Sequence, residues 1–443
     1  MQYVTTLRCI VCGGEFAAHE VDYVCPCAGD EGLLNVSFDY PRLAAVWDRD
    51  DLAVDGDHSM WRYAPLLPVS ADTLARVVGR GVAAPRGLPR YASPLAQVGG
   101  TPLYDAPRVA AKLGLRQVWI KDDGRNPTAS LKDRASALVT LKAVERGAEV
   151  VTTASSGNAA AALAAMAASV GVRAVIFVPQ TAPPAKIAQL LTYGAEVYLV
   201  QGTYDEAFDL CLAASREYGW YCRNTGYNPY TVEGKKTVSF EICEQLGWQV
   251  PDRVFVSVGD GCIIDGVWKG FKDMRALGWI DMLPKLVGVQ AAGSDPLVTA
   301  WERGTETIVP IAAQTIADSI CVGIPRDGVK ALRGVRESGG QFIRVSDEAI
   351  LAAIPRLAQE AGVFVEPAAS TAYAGLLAMA DAGQLDADET VVVIATGNGL
   401  KDVSAAMRAV GAATKIEPTL AGLAAALAEK PARPAGIGIT TVA

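Results

Sequence analysis

The stretch Val118-Trp-Ile-Lys-Asp-Asp-Gly-Arg-Asn-Pro-Thr-Ala-Ser-Leu-Lys-Asp-Arg134 passes from a β-branched run through a turn into the start of a helix. The run Val118 to Lys121 is typical of a buried strand, and the Asn-Pro pair favours a turn. The helix is predicted to begin around Leu131 and to continue to Arg146. A strand followed by a loop and a helix is one unit of a parallel α/β fold.

The same order of elements recurs along the rest of the chain. Short β-branched runs predict six further strands, at Val150 to Thr153, Ala174 to Val178, Glu196 to Val200, Val254 to Val258, Leu286 to Gln290 and Val391 to Ala395. Ala-rich or amphipathic segments predict helices between them, including Gly157 to Val170, Thr231 to Leu246 and Asp347 to Ala361. This alternation predicts an α/β fold with mainly parallel sheets covered by helices on both faces. Ligands of such folds bind at the carboxyl ends of the strands.

The size and composition of the chain exclude several classes of protein. Its 443 residues leave room for two or three domains with sizeable cores. Hydrophobic residues make up 51% and charged residues 20%, which excludes a disordered or low-complexity chain. The net charge of −8 argues against recruitment of nucleic acid or an anionic membrane by bulk electrostatics.

We also expect no membrane segment and no leader. The longest apolar stretch, Ala159 to Val170, is shorter than the roughly 18 residues that span a bilayer. The start of the chain, Met1 to Gly14, lacks the apolar core of a signal peptide. These features predict a soluble cytoplasmic protein.

Histidine and cysteine usage limits the chemistry. Only two histidines occur, His19 and His58, so a Ser-His-Asp triad or a multi-histidine metal site is hard to build. Proton transfer is therefore expected to use lysine, carboxylates or a group that is not part of the protein. Five cysteines are scattered without a pairing pattern, which is typical of a reducing compartment: Cys211, Cys222, Cys243, Cys262 and Cys321.

The other four cysteines lie near the start of the chain, in a segment that we interpret as a small ribbon-like module, residues 1–45. They are arranged as Cys9-x-x-Cys12 and Cys25-x-Cys27. The second pair is one residue shorter than the usual C-x-x-C knuckle, so bound zinc, a zinc-free ribbon and free thiols are alternative interpretations. The following segment, Asp48 to Pro94, is predicted to be irregular, with one short helix around Ser70 to Val78.

Two of the loops at predicted strand ends precede helices that could hold reactive or anionic groups. In the first, Lys132 lies at a helix N-terminus, where the helix dipole and burial would lower the lysine pKa and favour a Schiff base. The alternative is a surface lysine beside Asp133. In the second, Ser155-Ser-Gly-Asn158 opens an Ala-rich helix whose free N–H groups can hold a carboxylate. An ordinary helix cap is the alternative.

Two further loops are rich in glycine. The loop from Gly259 to Ile263 could bring backbone N–H groups close to a phosphate, although a tight turn is the alternative interpretation. In the loop after the last strand, the neutral hydroxyl of Thr396 could form a hydrogen bond to a ring nitrogen of a ligand without placing a full charge beside it. The alternative is that Thr396 caps a Gly-rich turn.

Together and in this order, the four loops resemble those of the fold-type II pyridoxal-phosphate (PLP) enzymes, and most closely those of the threonine synthases. The resemblance covers about Tyr91 to Met407, and its matching stretches are Asn126 to Arg134, Ala154 to Asn158, Asn228 to Thr237, the loop at Gly259, Glu366-Pro-Ala and Thr396 to Asp402. It implies a fold like that of tryptophan synthase β, with two open α/β domains. Residues 46–415 would form the catalytic region, with a smaller nested domain at about 136–230, and residues 416–443 a C-terminal helix (Leu420 to Glu429) and tail.

The resemblance also implies roles for individual residues. Lys132 would form the Schiff base with PLP and, once released, take the Cα proton. Asn158 would contact the phenolic oxygen of PLP and Thr396 its pyridine nitrogen. The cofactor's phosphate would be held by Gly259, Asp260, Gly261, Cys262 and Ile263. The substrate, a small amino acid, would be bound by Ser155, Ser156, Gly157, Thr225, Lys235 and Lys236. We expect a homodimer.

The implied reaction is that of a lyase of threonine biosynthesis, which converts O-phospho-L-homoserine and water to L-threonine and phosphate. Two positions depart from the family pattern, because Ala159 stands where Thr is common and Thr231 where Arg is common. Both usual residues look like contacts to the substrate's phosphate, for which Lys235, Lys236, Thr225 or Ser155 would have to substitute. The alternatives are β-elimination or β-replacement on serine, threonine or O-phosphoserine, as in dehydratases and cysteate synthases, and a catalytically silent regulatory protein on the same fold.

Overall fold

The computed structural model describes residues 2–79, 93–155, 157–180, 182 and 184–429. Its strands are β1 (Val4–Cys9), β2 (Glu15–Phe16), β3 (Leu34–Phe38), β4 (Leu103–Asp105), β5 (Gln117–Asp122), β6 (Val150–Ala154), β7 (Arg173–Pro179), β8 (Glu196–Val200), β9 (Tyr221–Cys222), β10 (Arg253–Ser257), β11 (Lys285–Ala291), β12 (Gln341–Val345) and β13 (Thr390–Ala395). The predicted α/β class with mainly parallel sheets is confirmed.

The helices alternate with these strands after the N-terminal module. They are α1 (Tyr40–Ala44), α2 (Arg49–Ala53), α3 (Ala71–Thr73), α4 (Pro107–Leu113), α5 (Lys132–Glu145), α6 (Asn158–Val170), α7 (Pro184–Thr192), α8 (Tyr204–Tyr218), α9 (Tyr230–Lys235), α10 (Thr237–Gln245), α11 (Cys262–Ala276), α12 (Pro296–Glu302), α13 (Gly328–Glu337), α14 (Asp347–Ala361), α15 (Pro367–Asp381), α16 (Val403–Val410) and α17 (Leu420–Glu429). Among the described residues, no helix has both the length and the apolar character needed to cross a bilayer.

Two parallel sheets carry the loops of interest. The larger has the strand order β12-β11-β10-β13-β5-β4, with only the edge strand β4 antiparallel to its neighbour. The smaller has the order β8-β7-β6-β9 and is parallel throughout. Its strands lie within the segment 136–230 that the sequence assigns to a nested smaller domain, and the domain boundaries themselves stay a prediction. In the larger sheet β10, β13 and β5 are neighbours, so the loops that leave their carboxyl ends lie side by side.

The N-terminal module is an antiparallel sheet in the order β2-β1-β3. The segment after it is more helical than the sequence predicts. Besides α3 and the π-helical turn Leu74–Val78, it contains α2 and a 3₁₀ helix at Met60–Leu66. Side chains stabilise these short helices, because Asp48 caps α2 and Ser59 accepts a hydrogen bond from the N–H of Trp61. Residues 80–92 of this predicted irregular segment lie outside the described residues.

Candidate active site

Backbone hydrogen bonds join the loop that precedes Lys132 to the loop that contains Thr396. The N–H of Leu131 donates to the carbonyl of Thr396 at 2.9 Å, and the N–H of Asn398 donates to the carbonyl of Ala129 at 3.1 Å. A third loop joins them, since the N–H of Glu366 donates to the carbonyl of Gly397 at 3.2 Å. The three loops therefore have a fixed relative position that does not depend on their side chains.

The loop before Lys132 contains a strained residue. Ala129 has a φ of 65°, in the left-handed region, which costs a residue other than glycine about 1–2 kcal/mol. The turn is held by the bond of the Ala129 N–H to the carbonyl of Asn126, at 2.8 Å. The surrounding hydrogen bonds therefore keep Ala129 in a conformation that glycine would adopt without strain.

Lys132 is the first residue of α5 and its side chain lines a cavity at the ends of the strands. Burial lowers the pKa of this lysine, and the nearby guanidinium of Arg223 lowers it further. The carboxyl groups of Asp260 and Glu366 act in the opposite direction without reversing the shift. The environment thus favours a neutral amine, which is the form that reacts with a carbonyl or accepts a proton.

The glycine loop between β10 and α11 lines the same cavity. Gly261 has a φ of 96°, and a Cβ atom there would lie 2.9 Å from the carbonyl oxygen of Asp327. A Cβ atom on Gly259 would lie 2.9 Å from the Cα of Ile320. Only glycine therefore fits at either position. The loop leads into the N-terminus of the 15-residue helix α11, where free backbone N–H groups favour the binding of an anion. This cradle fits a phosphate group.

Asn158 and Glu366, which line the same cavity, form a polar pair with unused hydrogen-bonding capacity. The Asn158 Nδ2 donates to Glu366 Oε1 at 2.6 Å. Oδ1 of Asn158 and Oε2 of Glu366 have no partner among the described residues, although both are buried. Burial raises the pKa of Glu366 to about 7. Thr396 lines the cavity as well, with a neutral hydroxyl. These groups fit a ring with polar substituents, as PLP has.

A second cavity of about 580 Å³ continues from Lys132 and has the size of a small-molecule site. Its lining includes Ser155, Arg223 and Thr225. Arg223 is fully buried; its Nε donates to Ser136 Oγ at 3.1 Å and its Nη1 to Thr225 Oγ1 at 3.0 Å. Nη2 has no partner among the described residues. Sequence reasoning missed Arg223, because β9, the strand before it, has only two residues and shows no periodicity.

Comparison with known proteins identifies the family. Residues 95–397 match the family described as "Pyridoxal-phosphate dependent enzyme". The chain belongs to this family. The resemblance to the threonine synthases is confirmed by relatives of that name. One from Methanocaldococcus jannaschii is 39% identical and covers 93% of this chain and 96% of its own. One from Methanosarcina acetivorans is 40% identical, and the match covers 89% of this chain and 92% of its own.

Solved structures of other PLP enzymes share the fold. The processed form of threonine deaminase isoform 2 from Solanum lycopersicum is 26% identical, with a TM-score of 0.60 over 70% of this chain and 87% of its own. Diaminopropionate ammonia lyase from Escherichia coli is 21% identical, with a TM-score of 0.63 over 78% of this chain and 93% of its own. At this identity the likeness supports a shared fold and nothing more. The predicted fold type of this PLP-dependent enzyme is therefore confirmed.

The structure separates the residues predicted to bind substrate. Ser155 and Gly157 line the cavity with Thr225, and Ser156 lies outside the described residues. Lys236 does not reach it, because its Nζ forms ion pairs of 2.6 Å with Asp273 and with Glu233. Lys235 is fully buried and its Nζ has no partner among the described residues. The predicted roles of these residues stay predictions.

The four N-terminal cysteines form a separate cluster and line neither of the two cavities described above. The Sγ atoms of Cys9, Cys12, Cys25 and Cys27 all lie within 4.8 Å of one another. The N–H of Val11 donates to Cys9 Sγ at 3.4 Å, and the N–H of Gly14 donates to Cys12 Sγ at 3.3 Å. Burial alone would raise the pKa of Cys9, but backbone N–H groups lower it to about 7. The neighbouring cysteines raise the pKa of Cys27 instead. Four Sγ atoms at this spacing match the ligand set of a tetrahedral zinc site, and its occupancy stays a prediction.

Proposed function

We propose that the protein is a threonine synthase, which converts O-phospho-L-homoserine and water to L-threonine and phosphate. The observation that carries this proposal is the cavity that leads from Lys132 to the buried guanidinium of Arg223. A substrate that bears a distal phosphate uses such a cation, whereas serine and threonine have no group for it. The names of the relatives that are about 40% identical over most of the chain support the same reaction.

In this proposal each group of residues around the cavity has a separate role. When bound, PLP supplies an electron sink that stabilises negative charge at the substrate's Cα. Lys132, whose pKa is lowered by burial and by Arg223, would accept and return protons. The N–H groups from Gly259 to Ile263 would hold the phosphate of the cofactor, and Asn158, which donates to Glu366, would contact its ring. Because the pKa of Glu366 is about 7, its carboxyl can hold or release a proton beside Asn158.

A second candidate reaction is β-elimination or β-replacement on serine, threonine or O-phosphoserine. Ala159 and Thr231, which replace two expected phosphate contacts, favour it. The likeness to a solved threonine deaminase, at 26% identity, points the same way. Product analysis separates these reactions, because an eliminase releases a keto acid, a β-replacement enzyme supplied with a nucleophile releases a new β-substituted amino acid, and a threonine synthase releases threonine.

The test offers the purified holoenzyme O-phosphohomoserine, O-phosphoserine, threonine and serine in parallel. Phosphate, threonine and keto acid are measured for each substrate, and Lys132→Ala provides the background. We expect phosphate and threonine in equal amounts from O-phosphohomoserine, without keto acid. Turnover of serine or threonine to keto acid as the main activity would establish the second candidate instead.

We also propose that Cys9, Cys12, Cys25 and Cys27 bind one structural zinc ion. The support is the approach of the four Sγ atoms to within 4.8 Å, together with the N–H groups that stabilise two of the thiolates. Protein prepared without chelator should contain about one zinc per chain, and Cys12→Ser should lower that value. Cys321→Ser, outside the cluster, is the control. A zinc-free parent protein would favour the zinc-free ribbon.

Two further expectations belong with this proposal. All nine cysteines are free in the structure, which supports a cytoplasmic location, since the cytoplasm keeps thiols reduced. The homodimer expected from the family resemblance stays a prediction. Sedimentation of the purified holoenzyme measures it directly.

A further inference from the structure

The short strand β9 leads directly into the wall of the second cavity. It is the last strand in the order β8-β7-β6-β9 and pairs with β6. The residues that follow it, Arg223 and Thr225, line the cavity together with Lys132. Because β9 has only two residues, it forms few hydrogen bonds within the sheet. The position of this part of the cavity wall therefore depends on what holds the outer side of the strand.

A tyrosine from the N-terminal module holds that outer side. The N–H of Arg223 donates to the carbonyl of Thr152 in β6 at 2.8 Å. Successive N–H groups of a strand point to opposite sides, so the N–H of Cys222 faces away from β6. It donates to the hydroxyl of Tyr23 at 2.9 Å. Cys222 is fully buried, so loss of this hydroxyl would expose the strand to the cost of an unsatisfied buried donor.

Tyr23 is itself fixed on two sides. Its ring packs against Tyr221 and Tyr227, with centroid distances of 5.7 and 4.9 Å. The next residue of the module, Val24, forms an antiparallel bridge with Leu33. The hydroxyl of Tyr23 is thus held at β9 by ring packing on one side and by the backbone of the module on the other.

The module is also attached to helices that pack on the larger sheet. The hydroxyl of Tyr40 donates to Asp273 Oδ1 in α11 at 2.6 Å. Arg333 in α13 donates from Nη1 to the carbonyl of Ile10 at 3.0 Å. Both helices pack against strands of the larger sheet. The N-terminal module therefore connects the larger sheet's helices to the edge strand of the smaller sheet, and Tyr23 makes the connection at β9.

We propose that Tyr23 is a positioning residue for the substrate cavity. Through the N–H of Cys222 it holds β9 in place, and β9 in turn sets the position of Arg223 and Thr225. Tyr23 itself lines neither of the two cavities. Since Lys132 follows a different strand, β5, the effect of Tyr23 falls on substrate binding and not on proton transfer. The inference rests on the proposed function only for the identity of the substrate.

The variant that tests this is Tyr23→Phe, which keeps the packed ring and removes only the hydroxyl. The first measurement needs no substrate. Hydrogen exchange at the backbone amide of Cys222 is followed by mass spectrometry of the holoenzyme. Exchange should become about 2-fold to 12-fold faster, the range for the loss of one neutral hydrogen bond.

The second measurement is steady-state kinetics, which separates positioning from a merely structural role. KM of Tyr23→Phe should rise within the same range while kcat stays at the value of the parent, because uniform binding is lost and the chemistry is not. Tyr40→Phe is the matched control, since it removes a tyrosine hydrogen bond between the same module and α11. It should change neither the exchange at Cys222 nor KM.

Three results would overturn the proposal. They are unaltered exchange at Cys222 in Tyr23→Phe, an equal rise of KM in Tyr40→Phe, and a fall in kcat of Tyr23→Phe at constant KM. The proposed function can fail separately. If the holoenzyme turns over serine, threonine or O-phosphoserine and not O-phosphohomoserine, KM is measured with that substrate, and the exchange experiment stays as it is.

Discussion

Replacement of Glu241 by glutamine tests the buried ion network beneath the candidate active site. Oε2 of Glu241 accepts from Lys121 Nζ at 2.7 Å, and its two oxygens accept from Arg134 Nη1 and Nη2 at 2.6 and 2.8 Å. All three side chains are buried. Arg134 lies two residues after Lys132 in α5, so the network also fixes the start of that helix.

The expected loss of stability for Glu241→Gln is about 3 kcal/mol. Removal of one partner from a buried ion pair costs about 3–5 kcal/mol. The lower end applies here for two reasons. Arg134 keeps Asp123, which accepts from its Nε at 2.7 Å and its Nη2 at 2.9 Å. Burial already lowers the pKa of Lys121, so this lysine can lose its proton when Glu241 is removed.

The assay is urea denaturation of the holoenzyme, followed by tryptophan fluorescence. Glu196→Gln is the matched control, because Glu196 forms an exposed pair with Arg173 at 2.7 Å and should contribute less than about 1 kcal/mol. Burial alone would raise the pKa of Glu241, but Arg134 and Lys121 hold it well below its usual range. The carboxylate therefore stabilises the fold above the pKa of the unfolded state, and this contribution is lost as the pH falls through the folded pKa.

The difference between the parent and Glu241→Gln should consequently be largest near neutral pH. It should shrink below about pH 4.3, where the carboxyl of the unfolded chain begins to hold a proton. If Glu241→Gln is no less stable than Glu196→Gln, or if the difference does not narrow in acid, the reasoning is refuted.

Three further variants test the loops around the cofactor. Lys132→Ala should lose the yellow colour that pyridoxal phosphate gives the parent, and borohydride followed by peptide mapping should no longer fix the cofactor at this position. Ala129→Gly should raise the free energy of unfolding by about 1 kcal/mol, since it removes a left-handed alanine; no gain in urea would contradict the strain argument. Gly397→Ala would place a Cβ atom 2.1 Å from Oε1 of Glu366. It should lower kcat/KM about 100-fold without loss of the fold, measured by turnover and circular dichroism.

Seven strands of the two larger sheets could be predicted because their local patterns agree with their burial, whereas β4, β9 and β12 of the same sheets were missed. The strand β8 and the helix α14 have the predicted bounds, and the other predicted strands differ by at most one residue at either end. The predicted helix from Thr231 to Leu246 is two helices that meet at Lys236, whose backbone is itself helical, so no breaker residue marks the boundary. The short helices between Arg49 and Leu66 were missed because they depend on single capping side chains.

The candidate site was harder to predict where it depends on contacts between distant parts of the chain. Loop motifs indicate Lys132 and the glycine loop, because each lies within a short strand–loop–helix segment that can be recognised from neighbouring residues alone. The choice between Lys235 and Lys236 is not local, since adjacent helix positions point to different sides and Asp273, far along the chain, takes Lys236. The same holds for Glu366, whose partner Asn158 lies 208 residues away.

The backbone bonds between the loops at Ala129, Gly397 and Glu366 bear on how this site could diversify. Amide and carbonyl groups are present at almost every residue, so the bonds survive most changes of side chain. A new residue at position 396 could therefore alter the polarity of the cavity wall while the backbone at Lys132 keeps its position. Grafting one loop from another enzyme, by contrast, would break its connections to the other two. Redesign of this pocket should proceed by point substitutions within the set, or by exchange of all three segments at once.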